Sequence, residues 1–255
     1  MNMELPFGIL LPAFVAGLLV LASHVPLGRE VLRRGIIFID LAIAQIAGLG
    51  VIAVHALGHA ESPWLTQLGA VGAALAGALL LQWSERRNPR HQEAIIGVSF
   101  VVAASAAILL ISHDPHGGEH LRELLVGQIL WTTWADLLPL GILTLAVLGT
   151  WFGLRLWRSP LGFYLLFAVM ITASVQIVGV YLVFASLIIP ALAGGERLWR
   201  GYAIGAAGYA LGLLASAWLD LPSGAAIVLA LAGVALLVRG LRPGDQAPAK
   251  QSSPL

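Results

Sequence analysis

Apolar runs long enough to cross a membrane alternate with short polar breaks along almost the whole chain. They fall at 5–25, 36–57, 64–83, 94–112, 136–157, 161–193, 202–219 and 223–238. A membrane-crossing helix needs about 20 apolar residues to span a hydrocarbon core ~30 Å thick. The run 161–193 has 33 residues, which would be about 50 Å as one straight helix, more than tilting accommodates. It divides into two short spans between Gln176 and Gly179. The pattern therefore predicts an all-α, polytopic membrane bundle of nine helices, or eight with one re-entrant segment. The stretch 121–134 (LRELLVGQILWTTW) is moderately apolar but too short to cross, and reads as a helix lying along the outer interface or dipping into the membrane. Pro190 ends the apolar run 182–189, and Gly179 opens the segment that contains it. The pair marks either a broken helix beside a pathway or a simple tight turn.

Charge fixes an orientation for this pattern. Basic residues accumulate in cytoplasmic loops. With the N-terminus outside, the cytoplasmic breaks hold Arg29, Arg33, Arg34, then Arg86, Arg87 and Arg90, then Arg155 and Arg158, then Arg197 and Arg200. The C-terminal segment adds Arg239, Arg242 and Lys250, so thirteen of the fourteen basic residues share one side and Arg122 alone lies on the other. A wrong span count would scatter them. Met1–Glu4 carries no basic residue ahead of the first apolar run, which suggests a retained first span rather than a cleaved signal. The expected organisation is a membrane domain over 1–242 and a polar, disordered cytoplasmic tail over 243–255.

Composition removes several classes of function. Of 255 residues 59% are hydrophobic and 11% charged, against about 25% charged in a soluble domain. A water-soluble enzyme is excluded. A net charge of +1 provides no basic field for nucleic acid. Without cysteine there is no thiolate metal site or disulfide framework. The one lysine, Lys250 in the tail, rules out a phosphate-cradling G-x-x-x-x-G-K-[ST] loop, so any ATP used is hydrolysed by another subunit.

The outward breaks have a different chemistry. His55, His59 and Glu61 surround one of them, and another reads Ser112-His113-Asp114-Pro115-His116-Gly117-Gly118-Glu119-His120. Imidazole with carboxylate suits Zn²⁺ and tolerates Mn²⁺ or Fe²⁺. These residues form either a cation-collecting loop or a histidine-rich solvated one, and the Gly-Gly pair is incompatible with a rigid preformed centre. Inside the bundle, Asp40 lies close to the start of the second apolar run, where a carboxylate is a functional candidate. An interfacial ion pair with Arg33, Arg34 or Arg86 explains it equally. Gln45, Gln128 and Gln176 are cheaper polar groups that either line a pathway or hydrogen-bond between helices. Small residues at helical spacing (Gly69, Ala73 and Gly77; Gly201 and Gly205; Gly208 and Gly212) predict close helix packing, within the bundle or between copies.

Several segments resemble a known family. Pro26-Leu27-Gly28 with Arg33-Arg34 and Phe38-Ile39-Asp40 resembles the first cytoplasmic loop and second span of bacterial zinc/manganese/iron ABC-importer permeases. Glu93-Ala94-Ile95-Ile96-Gly97, Val126-Gly127-Gln128-Ile129-Leu130 and Trp134-Ala135-Asp136 are similar to later steps of that family. Val178-Gly179-Val180-Tyr181-Leu182, running on to Ser186-Leu187-Ile188-Ile189-Pro190-Ala191, is the most specific likeness. Asp220-Leu221-Pro222-Ser223-Gly224 resembles its last outward turn. The likeness runs in order over about residues 10–240.

Two departures stand out. The family's second-span aspartate is usually followed four residues on by a histidine associated with the metal path, whereas Ala44 and Gln45 stand here. A carboxylate without that imidazole is a less zinc-selective ligand. The family also carries a cytoplasmic segment, including the coupling helix that docks into the ATPase, where this chain has only Arg158-Ser159-Pro160.

The resemblance implies a non-enzymatic permease subunit in the bacterial plasma membrane, carrying zinc or manganese as cargo and holding no permanent cofactor. It further implies a homodimer, an ATP-binding subunit, an extracytoplasmic metal-binding protein, contact with lipid and none with nucleic acid. The resemblance places Asp40 on the metal path, and the residues of the outward breaks add His55, His59, His113, Asp114, His116 and His120 as metal-handling candidates. The pathway would run by Gln45, Gln128, Gln176, Ser186 and Pro190, and Arg86, Arg87 and Arg90 would face the ATPase. The missing segment leaves two alternatives, a metal permease uncoupled from an ATPase and a non-conducting accessory subunit.

Overall fold

The computed structural model describes residues 7–58, 62–112 and 127–240. Among them run nine α-helices and no strand: α1 (Phe7–Arg34), α2 (Ile39–Ala56), α3 (Pro63–Arg87), α4 (Gln92–Ile111), α5 (Trp134–Phe152), α6 (Pro160–Val178), α7 (Val180–Gly194), α8 (Leu198–Leu219) and α9 (Ser223–Gly240). Seven of these are long and apolar enough to cross a membrane, and α7 and α9 are shorter apolar helices. The all-α membrane bundle predicted from the apolar runs is the observed fold. Helices satisfy every backbone polar group internally, which is what hydrocarbon demands.

Several expected boundaries move, among them the third run, helical to Arg87, and the fifth, which ends at Phe152; at two others the cause is visible. The first apolar run was expected to end at 25, but α1 continues through Pro26 to Arg34. Proline cannot donate to the carbonyl four residues back, and the freed Ala22 oxygen accepts instead from the Tyr202 hydroxyl at 3.0 Å. A donor from α8 thus lets the helix pass its proline. Nor does Pro190 end a helix, since α7 runs on to Gly194. The break in the 161–193 run falls at Gly179, with φ 79° and ψ 162°, a conformation essentially reserved for glycine. At 15 residues, α7 is only about 22 Å long.

Non-helical backbone at membrane depth has to be covered by protein, and the cover here comes from a remote segment. Gly127, at φ +68°, sits so close to Val178 and Gly179 that a Cβ on it would fall on their backbone atoms. The two glycine motifs, 52 positions apart in sequence, therefore meet. Beyond Gly127 a single 3₁₀ turn, Ile129–Trp131, buries Ile129 against the bundle. Of the interfacial or re-entrant helix expected over 121–134, residues 121–126 lie outside the described residues, and the rest is this turn followed by the start of α5. We expect Gly127→Ala to lower the thermal unfolding temperature markedly, because it adds a strained backbone to a clash; unchanged melting would show that the contact is dispensable.

The small-residue faces pack helices within the chain. Gly69 and Ala73 of α3 lie on Gly50 of α2, Gly201 and Gly205 of α8 on Val25 and Leu21 of α1, and Gly208 and Gly212 on Leu231 and Ile227 of α9. One continuous apolar core joins α1 and α2 to α5, α6 and α7.

Candidate functional site

The helix ends sort into two chemically distinct groups. At one end Arg34 Nη2 donates to the Trp157 carbonyl at 3.0 Å, and the Phe38 N–H donates to Glu93 Oε1 at 3.2 Å. These contacts place the breaks after α1, α3 and α5 side by side. The arginines 86, 87 and 90 are exposed there, with Arg87 stacked over the Trp83 ring at 4.5 Å.

At the opposite end a cavity of about 1170 Å³ opens between α2, α3, α4, α5 and α6. His55, Thr66, Gln67, Gln128, Thr132, Asp136 and Gln176 supply its polar wall and Val51, Leu110, Leu140 and Leu143 part of its apolar one. His55 ends α2, and its Nε2 lies 3.4 Å from Thr66 Oγ1. Asp136 is held by the start of α5: its Oδ2 accepts from the Thr133 N–H at 2.9 Å and the Thr133 hydroxyl at 2.7 Å, a capping box that fixes the carboxylate at the cavity wall. Three of the residues selected from sequence, His55, Gln128 and Gln176, are thus brought to one cavity. His59, His113, Asp114, His116 and His120 lie outside the described residues, as does the 243–255 tail.

Asp40 sits elsewhere, in the first turn of α2 at the arginine end. It is 1% exposed, and neither carboxylate oxygen has a hydrogen-bond partner. The N–H groups of Asp40 itself and Leu41 lie near it but outside hydrogen-bonding geometry. The arginines that sequence offered as partners are engaged elsewhere. Arg33 and Arg34 both bind Glu30, at 2.6 and 2.7 Å, and Arg86 Nη2 lies 3.1 Å from the Gln82 carboxamide. The ion-pair explanation of Asp40 is therefore not what the structure adopts. Gln45, a turn further along α2, is half-buried.

The remaining pathway candidates have local tasks. Ser186 is fully buried, donates to the Leu182 carbonyl at 2.6 Å and shares a 2.8 Å hydrogen bond with the Tyr209 hydroxyl. Pro190 is buried within α7, where its carbonyl lies under Gly201. Among the described residues no three His, Cys, Asp or Glu side chains group as a metal-ligand set.

Two ionisable residues not singled out from the sequence, His24 and Glu30, are buried in the bundle, and a third, Glu93, is half-buried. His24 is 0% exposed on α1, bonded to Ser23 Oγ through Nδ1 at 3.1 Å. Glu30 is 5% exposed and binds both arginines. Glu93 caps the approach to α2. Glu30 was legible as an i,i+3 and i,i+4 partner of Arg33 and Arg34; His24 was legible only as a lone imidazole inside an apolar run.

A bundle of membrane-crossing helices with a polar cavity at one end and a buried carboxylate near the other has the build of a transporter's membrane subunit. The chain belongs to the ABC 3 transport family, whose model matches residues 6–159 and 150–240. It is 28% identical over 146 residues to a probable metal transport system membrane protein of Chlamydia pneumoniae, covering 56% of this chain and 50% of that one. The corresponding protein of Chlamydia muridarum gives 28% over 146 residues, with 56% and 48% covered. The chain thus spans about half the length of the curated relatives it matches. In fold it is similar to PsaBC from Streptococcus pneumoniae, solved in complex with Fab, with a TM-score of 0.72 and 21% identity over 94% of this chain and 92% of that one.

Proposed function

We propose that the chain is the membrane-spanning permease subunit of a divalent-metal ABC importer in a bacterial plasma membrane, with zinc or manganese as cargo. The observation that carries this reading is Asp40, a buried carboxylate with no partner in a family of transport proteins. A cation leaving water must replace its hydration with other oxygen ligands, and a carboxylate inside the membrane supplies both ligand and countercharge. In this reading an extracytoplasmic binding protein delivers the ion to the cavity bounded by His55, Asp136, Gln128 and Gln176. A separate ATP-hydrolysing subunit then drives a homodimer of the chain between outward- and inward-open states. No bond in the cargo breaks, so the role is transport rather than catalysis.

The arginine end faces the cytoplasm in this proposal, with the N-terminus outside and the C-terminus inside. Cysteines introduced at Asn88 and Gly117, in a chain that has none, test it with an impermeant thiol reagent: Gly117→Cys should label in intact cells and Asn88→Cys only after lysis. Labelling of position 88 from outside would invert the map.

A second reading draws on one observation. The α5–α6 connection is only Gly153–Ser159, built around a 3₁₀ turn at Leu156–Arg158, where the family carries its coupling helix. Either Arg86, Arg87 and Arg90, exposed at the short turn between α3 and α4, take over ATPase contact, or transport proceeds without the ATPase. Co-purification with the tagged full chain separates them. An ATPase and an external binding protein should come down together with it, and the ATPase should be lost, the binding protein retained, on replacing the three arginines with glutamate. Recovery of the chain alone from cells importing metal would favour the uncoupled permease.

The outer histidines should concentrate cations without defining a fixed path, because ligands on a Gly-Gly loop raise local concentration but set no geometry. Replacing His113, His116 and His120 with alanine should weaken uptake at limiting metal and leave it intact at high metal. Loss at all concentrations would make the loop the obligatory site.

A further inference from the structure

The connection between α5 and α6 differs in kind from the other short turn at the arginine end. Between α3 and α4 the residues 86–91 are all exposed and include no large apolar side chain. Between α5 and α6, arginines alternate with exposed apolar residues: Leu154 is 71% exposed and Phe152 54%, and Leu156 is exposed between Arg155 and Arg158. A turn projecting into the cytoplasm would leave these apolar side chains in water. A turn at the edge of the hydrocarbon places them among acyl chains, while the arginines extend to the headgroup layer. The turn is also firmly held. Arg34 Nη2 donates to the Trp157 carbonyl at 3.0 Å, and the Trp157 ring stacks on Trp151 with centroids 6.0 Å apart. The guanidiniums of Arg33 and Arg158 lie 5.5 and 5.7 Å from the centre of the Trp157 ring, within the range of cation–π attraction.

Two of these arginines lack a carboxylate. Among the described residues both ion pairs belong to Glu30 and go to Arg33 and Arg34, so Arg155 and Arg158 remain uncompensated. They sit one 3₁₀ turn apart, the Arg158 N–H donating to the Arg155 carbonyl at 3.0 Å. Arg155 is held at φ 53°, a left-handed conformation that glycine adopts at lower cost. We infer that the α5–α6 turn docks the headgroup of an anionic phospholipid, with Arg155 and Arg158 on its phosphate, Trp157 at headgroup level, and Phe152, Leu154 and Leu156 against its acyl chains. The arginine fork offers paired N–H donors to phosphate oxygens. Indole rings settle at the membrane–water interface, and basic residues beside a span attract anionic lipid. An acidic groove on a soluble partner would match the arginines but leave Leu154 in water; a lipid satisfies both halves of the turn. The inference is independent of the cargo and of the energy source, and it gives the shortened connection a task of its own.

The test titrates the delipidated full chain in detergent with dioleoylphosphatidylglycerol, counting bound lipid by native mass spectrometry, with phosphatidylcholine as the zwitterionic reference. The parent should bind phosphatidylglycerol in preference to phosphatidylcholine. Arg155→Gln combined with Arg158→Gln should weaken phosphatidylglycerol binding by about 30-fold and leave phosphatidylcholine binding unchanged. Arg155→Lys with Arg158→Lys, which keeps both charges, should retain most of the affinity, and added salt should narrow the gap between parent and glutamine variant. Leu154→Ser with Leu156→Ser should weaken both lipids, because it removes the acyl contact and not the charge. Melting followed in phosphatidylcholine nanodiscs should match the parent for every variant, which separates lost docking from lost fold. Three results would overturn the inference. The glutamine pair could bind phosphatidylglycerol within about twofold of the parent. Arg197→Gln with Arg200→Gln, at the α7–α8 turn, could cost as much, which would make the attraction a diffuse field rather than a site. Soluble glycerol phosphate could compete as well as the lipid does, which would make the turn a phosphate site with no membrane role. Co-purification adds a fourth check: loss of an ATPase from the glutamine pair, with phosphatidylglycerol still bound, would assign the turn to that subunit instead.

Discussion

Metal uptake by cells carrying Asp40→Asn should fall by more than about 100-fold, beyond the ~10–100-fold cost of disturbing a group that merely supports a ligand. The substitution keeps side-chain volume and one carbonyl oxygen, so the packing of a residue that is 1% exposed is preserved. What it removes is the charge. A divalent cation inside the bundle has lost much of its hydration, and a neutral amide returns only part of that in a medium where charge interactions are several times stronger than in water. The effect should therefore appear in transport, while expression, elution as a single species from size exclusion and melting temperature stay near the parent. Uptake is measured with a radioactive or fluorescent metal tracer at a concentration range wide enough to separate affinity from rate. Normal uptake by Asp40→Asn would place the ion's route elsewhere and leave a buried carboxylate with no transport role, which favours the accessory-subunit alternative.

The helical spans were legible because their signal is repeated: apolar runs alternate with polar breaks, some carrying arginines and others histidine or carboxylate, and each run matches one helix except 161–193, which supplies α6 and α7. The boundaries were less legible where a distant residue decides them. Nothing near Pro26 says that α1 continues, because the compensating hydroxyl belongs to Tyr202, 176 positions away. The same holds for Gly127 and Gly179. Each reads as a local kink, and only the fold shows that one covers the backbone exposed by the other. Small residues at four-residue spacing gave the packed faces correctly but not their partners. They serve helices of the same chain, since Gly50 faces Gly69 and Gly212 faces Ile227.

The candidate site was legible by chemistry and not by grouping. Sequence placed Asp40 in the membrane and offered three arginines to neutralise it, yet the shorter, same-helix geometry of Glu30 took two of them. That competition follows from i,i+3 and i,i+4 spacing. Glu93 was legible only as part of a family-like motif, and the packing of α4 on α2 brings its carboxylate to the Phe38 amide. Gln128 and Gln176, 48 positions apart, meet His55 because the helix break at Gly179 lets the end of α6 reach the same cavity.

Removing Glu30 should be the most destabilising single change at the arginine end. Its side chain is 6% exposed and holds two cations of unequal standing: the Arg33 side chain is 64% exposed and that of Arg34 14%. The Arg33 pair is screened by solvent and contributes ~0–1 kcal/mol. Arg34 is different, because without Glu30 it keeps only the Trp157 carbonyl at 3.0 Å and the face of Phe163 at 4.2 Å. A guanidinium left buried without its carboxylate costs about 3–5 kcal/mol. Arg34 also ties the end of α1 to the short α5–α6 connection, so the loss should loosen that turn, where Arg155 already occupies a left-handed conformation at φ 53°. Glu30→Ala should therefore lower the unfolding temperature of the detergent-purified chain, followed by tryptophan fluorescence, which Trp151 and Trp157, stacked at 6.0 Å in this region, report directly. The double change Glu30→Leu with Arg34→Met should recover most of the loss, because replacing both halves of a buried pair with apolar groups removes the stranded charge. If the double variant melts as low as Glu30→Ala, the stabilisation comes from the Arg34 contacts to Trp157 and Phe163 rather than from the ion pair, and the turn is held by the guanidinium itself.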